Sequence, residues 1–135
     1  MIKGIGIDLV DLEEFRRLCD GFGVDGEKDL DAANAFVRRT FTPAELAQAC
    51  ERHDCCEYLA GRFACKEAVF KALAPLTSEG FDLRVVETID APTGQPLVSA
   101  DAPGLAAVRS EAGVSSVLVS VTNEGGYVEA IALAQ

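Results

Sequence analysis

Two carboxylates, Asp8 and Glu67, fall where the periodicity of the chain gives a charged group something to do. Asp8 lies in residues 2–10, where Ile5, Ile7 and Leu9 alternate with Gly4, Gly6 and Asp8, the period-two pattern of a strand. The face it shares with two glycines is stripped of bulk, and glycine inside a strand marks the close approach of a ligand or of another backbone. Glu67 follows Phe63 by four residues and precedes Phe70 by three. At roughly 100° per residue its side chain borders the apolar stripe of a helix. A carboxylate at the edge of a core needs a cation or hydrogen-bond donors, because an unpaired buried charge is costly. Magnesium suits that need, since it is held by few oxygen ligands and completed by water and substrate phosphates. Residue types alone leave a second reading open for each acid: Asp8 as a strand-end acceptor of backbone hydrogen bonds, and Glu67 as an i,i+4 partner of Lys71.

The elements that must position these acids follow from the same sequence. Residues 2–10 form the first strand and residues 12–19 a short helix, followed by an exposed loop in the glycine- and acid-rich GFGVDGEKD. Residues 31–39 are expected to be helical. Thr42, Pro43 and Glu45 spell a helix start, with a threonine cap, proline in the first turn and glutamate placed to complete a capping box. Residues 57–74 carry the strongest helical signal, because Leu59, Phe63, Phe70 and Leu73 recur at spacings of three and four. Beyond Pro75 the pattern turns to strands at 83–89 and 97–100 around a turn at 92–94. A last helix over 103–112 closes at Gly113, and strands at 116–122 and 127–133 flank the turn Asn123-Glu124-Gly125-Gly126. The expected fold is α+β, with an antiparallel sheet packed on the long helix and residues 1–135 forming one compact domain.

Composition bounds the function. Hydrophobic residues make up 49% of the 135 and charged residues 25%, an ordinary globular balance. No uninterrupted apolar run reads as a signal peptide or membrane span, so a cytoplasmic protein without a membrane is expected. A net charge of −10 repels nucleic acid. The five cysteines read as reduced, packed thiols with no disulfide framework. Cys50, His53, Cys55 and Cys56 lack the paired spacing of a zinc site, and Gly4-x-Gly6 lacks the third glycine of a dinucleotide fingerprint.

Three blocks then occur in order: GIGIDLVDL at 4–12, RTFTPAEL at 39–46 and EYLAGRFACKEAVFKAL at 57–73. Together with a looser match in VLVSVTNEGGYVEAIAL at 117–133, the chain resembles the bacterial holo-acyl-carrier-protein synthases, a family of 4'-phosphopantetheinyl transferases. The resemblance implies Mg2+-dependent transfer of phosphopantetheine from coenzyme A to a serine of an acyl carrier protein, as in fatty acid or polyketide synthesis. It assigns Asp8 and Glu67 to the metal, and Arg62, Lys66 and Lys71 to the coenzyme phosphates. Glu67, or a metal-bound water it holds, would serve as the general base, Lys71 would stabilise the leaving phosphate, and the family's homotrimer would build each site between neighbouring subunits.

Three departures qualify the match. Asn123 stands where the family pattern ends its C-terminal strand in histidine; its amide can hold a phosphate but carries no charge or proton. Ala74 to Ser78 replace a glycine-rich turn. The first helix, basic in the family for docking the carrier, begins here with Asp11, Glu13 and Glu14, leaving Arg16 and Arg17 as a local patch. A divergent, non-catalytic trimeric module that binds coenzyme A or a carrier is the alternative these departures motivate.

Overall fold

The computed structural model of the chain describes residues 1–19, 22, 34–100, 102 and 104–135. In chain order the elements are β1 (Gly4–Asp11), α1 (Leu12–Cys19), α2 (Ala35–Thr40), α3 (Pro43–Cys50), α4 (Cys55–Leu73), β2 (Thr88–Asp90), β3 (Pro96–Val98), α5 (Leu105–Ala112), β4 (Val117–Glu124) and β5 (Tyr127–Ala134). Strands β1, β5 and β4 form a three-stranded antiparallel sheet in that order, while β2 and β3 pair as a separate hairpin. The long helix packs on the sheet, as the α+β expectation required.

α4 starts on an Asp54 cap whose side chain accepts from the Glu57 amide, and it is buried on nearly every side. Ala60, Ala64, Ala68 and Ala72 are all buried, so one face of the helix is nearly smooth. Buried Ala130, Ala132 and Ala134 present an equally low surface from β5. The approach is closest at β1: a Cβ on Gly6 would lie 1.9 Å from the carbonyl oxygen of Ala68, and one on Gly4 would lie 2.0 Å from that of Ala72. What lies against the bare face of β1 is therefore the backbone of α4, the second of the two alternatives that glycine in a strand allows.

The outward face of β1 is apolar yet open, with Ile5, Ile7 and Leu9 being 64%, 56% and 61% exposed. Leu118 on β4 and Ile131 on β5 extend the same exposed face. On the other side of α4, Phe15, Phe36, Phe41 and Phe63 pack with ring centroids 5.6 to 6.4 Å apart, tying α1 and α2 to the helix.

Several boundaries differ from the sequence reading for local reasons. α2 begins at Ala35 on an Asn34 cap; residues 31–33, and nearly all of the 21–29 loop, lie outside the described residues. Residues 83–89 are not one strand: Asp82 accepts from the Arg84 amide at 2.8 Å and tightens Leu83–Val85 into a 3-10 turn, leaving only Thr88–Asp90 to pair. α5 begins at Leu105 rather than 103 and closes at Gly113 with φ 65°. The capping box at Thr42 and Glu45 forms as expected.

Candidate active site

Asp8 sits on the helix-facing side of β1, two residues beyond Gly6, so the close approach of strand to helix brings it to the turn of α4 that carries Glu67 and Lys71. Lys71 Nζ donates to Asp8 Oδ1 at 2.8 Å and to the Ile7 carbonyl at 3.0 Å. Glu67 is partly buried and has no hydrogen-bond partner among the described residues. Burial, and then the charge of Asp8, push its carboxyl above the ordinary glutamate range, while Lys71 pulls it down. Two acids thus converge with one half-exposed lysine between strand and helix. The lysine neutralises Asp8 and leaves Glu67 without a direct partner. Such a pair fits a hard divalent cation, and magnesium in particular, whose remaining ligands come from water and substrate phosphate. Among the described residues no group of three or more metal-ligating side chains occurs, so the two carboxylates would need those non-protein oxygens.

Lys66 corrects an expectation. Its ammonium is fully buried, and donates to Glu45 Oε1 at 2.7 Å and also to the Val86 carbonyl. Glu45 is equally buried and accepts from the Thr88 amide at 3.0 Å with its second oxygen. Burial lowers the lysine's pKa and Glu45 opposes the shift, the pattern of a structural ion pair. Lys66 fastens α4 to α3 and to the segment entering β2, a structural role that the sequence reading did not give it.

Arg62 and Asn123 line a cavity of about 380 Å³ together with Arg52, His53, Tyr58 and Gly61. Arg62 is 4% exposed and Asn123 donates to Glu57 Oε1 at 2.9 Å. Asp8, Glu67 and Lys71 are not among the lining residues. The candidate site residues therefore fall into two groups on one chain, an acidic cluster under β1 and a guanidinium-bearing cavity beside β4.

A family model described as the 4'-phosphopantetheinyl transferase superfamily matches residues 4–132. A holo-[acyl-carrier-protein] synthase of Desulforudis audaxviator is 37% identical over 134 residues, covering 99% of this chain and 93% of that one. The chain belongs to this family of transferases. A second holo-[acyl-carrier-protein] synthase, from Chlorobaculum tepidum, is 38% identical over 99 residues, 73% of this chain and 76% of the relative. Among solved structures, the synthase from Neisseria meningitidis superposes with a TM-score of 0.79 at 32% identity, covering 100% of this chain and 99% of that one. The Helicobacter pylori synthase solved with coenzyme A shares the fold, with a TM-score of 0.71 at 20% identity over 97% and 99% of the two chains.

Sequence reasoning missed the residues that shape the cavity. Arg52 and Tyr58 stand at its wall, and His53, set aside as a zinc ligand, also lines it. Arg52-His53-Asp54 directly before the helix, with Tyr58 one turn before Arg62, is the signal that could have found them.

Proposed function

We propose that the chain catalyses magnesium-dependent transfer of 4'-phosphopantetheine from coenzyme A to a serine hydroxyl of an apo acyl carrier protein, in the cytoplasm and as one single-domain transferase unit. The observation that carries this reading is the convergence of Asp8, Glu67 and Lys71, distant in sequence, at one point of a fold shared with the holo-[acyl-carrier-protein] synthases. Relatives of that name support the carrier, and the Helicobacter pylori complex supports coenzyme A as the donor.

Asp8 and Glu67 would hold the magnesium, which when bound would supply charge neutralisation at the coenzyme's diphosphate. The serine oxygen forms a bond to the β-phosphorus while the bond to the bridging oxygen breaks, releasing adenosine 3',5'-bisphosphate. Glu67, or a water it holds, would accept the serine proton. Lys71, half exposed at 49%, can swing from Asp8 to the leaving phosphate and offset its charge. Arg62 and Asn123, from their cavity, would take another anionic part of the coenzyme.

Because the acidic cluster and the cavity occupy separate places on one chain, a complete site is best assembled from two copies. The exposed apolar face of Ile5, Ile7, Leu9, Leu118 and Ile131 supports the family's homotrimer as the arrangement that covers it. The test incubates the protein with magnesium, coenzyme A and a panel of apo-carrier proteins and follows the carrier mass. Appearance of the phosphopantetheine adduct, lost on chelation, is expected. Coenzyme A binding without an adduct on any carrier would leave a non-catalytic binding module in its place.

A further inference from the structure

Asp90, at the end of β2, joins the two arginines of the cavity. Arg62 Nη1 donates to Asp90 Oδ1 and Arg52 Nη2 to Asp90 Oδ2, both at 3.0 Å, so each carboxylate oxygen holds one guanidinium. Both guanidinium carbons lie 5.0 Å from the centroid of the Tyr58 ring. Asp90 is itself pinned. Its amide donates to Gln48 Oε1 at 2.9 Å, its carbonyl accepts from Gln48 Nε2 at 3.0 Å, and the same Gln48 oxygen accepts from the Tyr58 hydroxyl. Arg62 is almost wholly buried, and its Nε has no hydrogen-bond partner among the described residues, leaving a donor free on a side chain that lines the cavity.

We propose that Asp90 is a positioning residue: held by Gln48, it sets the spacing and orientation of the Arg52 and Arg62 guanidiniums that receive an anionic group of coenzyme A. The inference rests on the reading of this cavity as part of the coenzyme site. Two long cations over one aromatic ring would otherwise sample many rotamers, and a fixed fork loses less freedom per hydrogen bond formed to a phosphate. Charge and position make opposite predictions here. Deleting a carboxylate beside two arginines raises the local positive potential, which by itself tightens an anion. Loss of positioning loosens it.

The experiment compares wild type, Asp90→Asn and Gln48→Ala in the transfer assay and in calorimetric titration with coenzyme A. Asp90→Asn keeps the size of the side chain, and Gln48→Ala keeps the carboxylate while releasing its backbone. Both should raise the KM and the Kd for coenzyme A about ten-fold while kcat and the KM for the carrier stay within about two-fold, because a ground-state contact is lost. Asp90→Glu, which retains the charge, should recover part of the affinity. Tighter coenzyme A binding by Asp90→Asn, or an unchanged KM in Gln48→Ala, overturns the proposal while leaving the transferase reading intact. Wild-type protein that binds no coenzyme A overturns both, and a matched fall in kcat with unchanged KM assigns Asp90 to the fold instead.

Discussion

Glu67 lies between opposing fields. Burial and the Asp8 carboxylate favour its protonated form, and Lys71 favours the ionised one. Glu67→Gln would remove the proposed metal ligand and proton acceptor but little volume, so transfer should fall at least about a hundred-fold while the melting temperature holds or rises. Single-turnover carrier labelling and a thermal melt check the two halves; near-normal labelling would take Glu67 out of the mechanism. The raised pKa also fixes a pH dependence. The folded protein keeps this proton to a higher pH than the unfolded chain does, so the group stabilises the fold at low pH and that contribution is lost as pH rises through the raised value. Magnesium binds the ionised form, so its stabilisation must grow across the same window. Melts with and without magnesium at about pH 5 and about pH 7.5 should show the larger upward shift at the higher pH. Equal shifts would mean that the metal does not engage this carboxyl. Asp8→Asn, by removing a like charge, should return Glu67 toward ordinary titration, read by carboxyl NMR.

The elements hold these residues through two contacts of opposite character. One is main chain against main chain. A methyl on Gly6 would meet the Ala68 carbonyl at 1.9 Å, so Gly6→Ala must push β1 off α4 and should cost about 2–3 kcal/mol in chemical denaturation. The other is the buried Lys66–Glu45 pair. Lys66→Met strands Glu45 in the core and should cost about 3–5 kcal/mol, whereas the double change with Glu45→Leu should recover much of the loss. Additive losses in that cycle would show the pair to be uncoupled. These contacts also explain what the sequence let us read. The long helix, the Thr42 capping box and the C-terminal hairpin are local patterns, legible from spacing and turn chemistry. The pairing of Asp8 with Glu67 was implied by the resemblance of the three sequence blocks to the family, because the bare face of β1 by itself left a ligand and a backbone neighbour equally open. The Lys66–Glu45 pair was not legible because its partners lie 21 residues apart, and the sequence explains the glutamate fully as a cap. Asp90 escaped notice for the same reason, since its arginines are brought to it only by the packing of β2 beside α4.

At the scale of the molecule, one flank of the sheet is covered by α4 and the other presents Ile5, Ile7, Leu9, Leu118 and Ile131 to the outside. No helix among the described residues is long and apolar enough to cross a membrane. If copies of the chain cover this face, Ile7→Lys should yield a folded but dissociated protein with little transfer activity, seen by light scattering and circular dichroism. An unchanged mass would deny the face that role. The first helix adds a constraint on partners: Arg17 pairs with Glu13 at 2.7 Å and Arg16 with Asp54, so the basic patch expected there is already neutralised. An acidic carrier docking at this helix would meet a patch already ion-paired. With peptide lying directly on peptide at Gly4 and Gly6, the span between the two acids is set by main-chain atoms. Substitutions on the outer flank of β1 can alter what that flank touches and leave the spacing of the two acids at its setting.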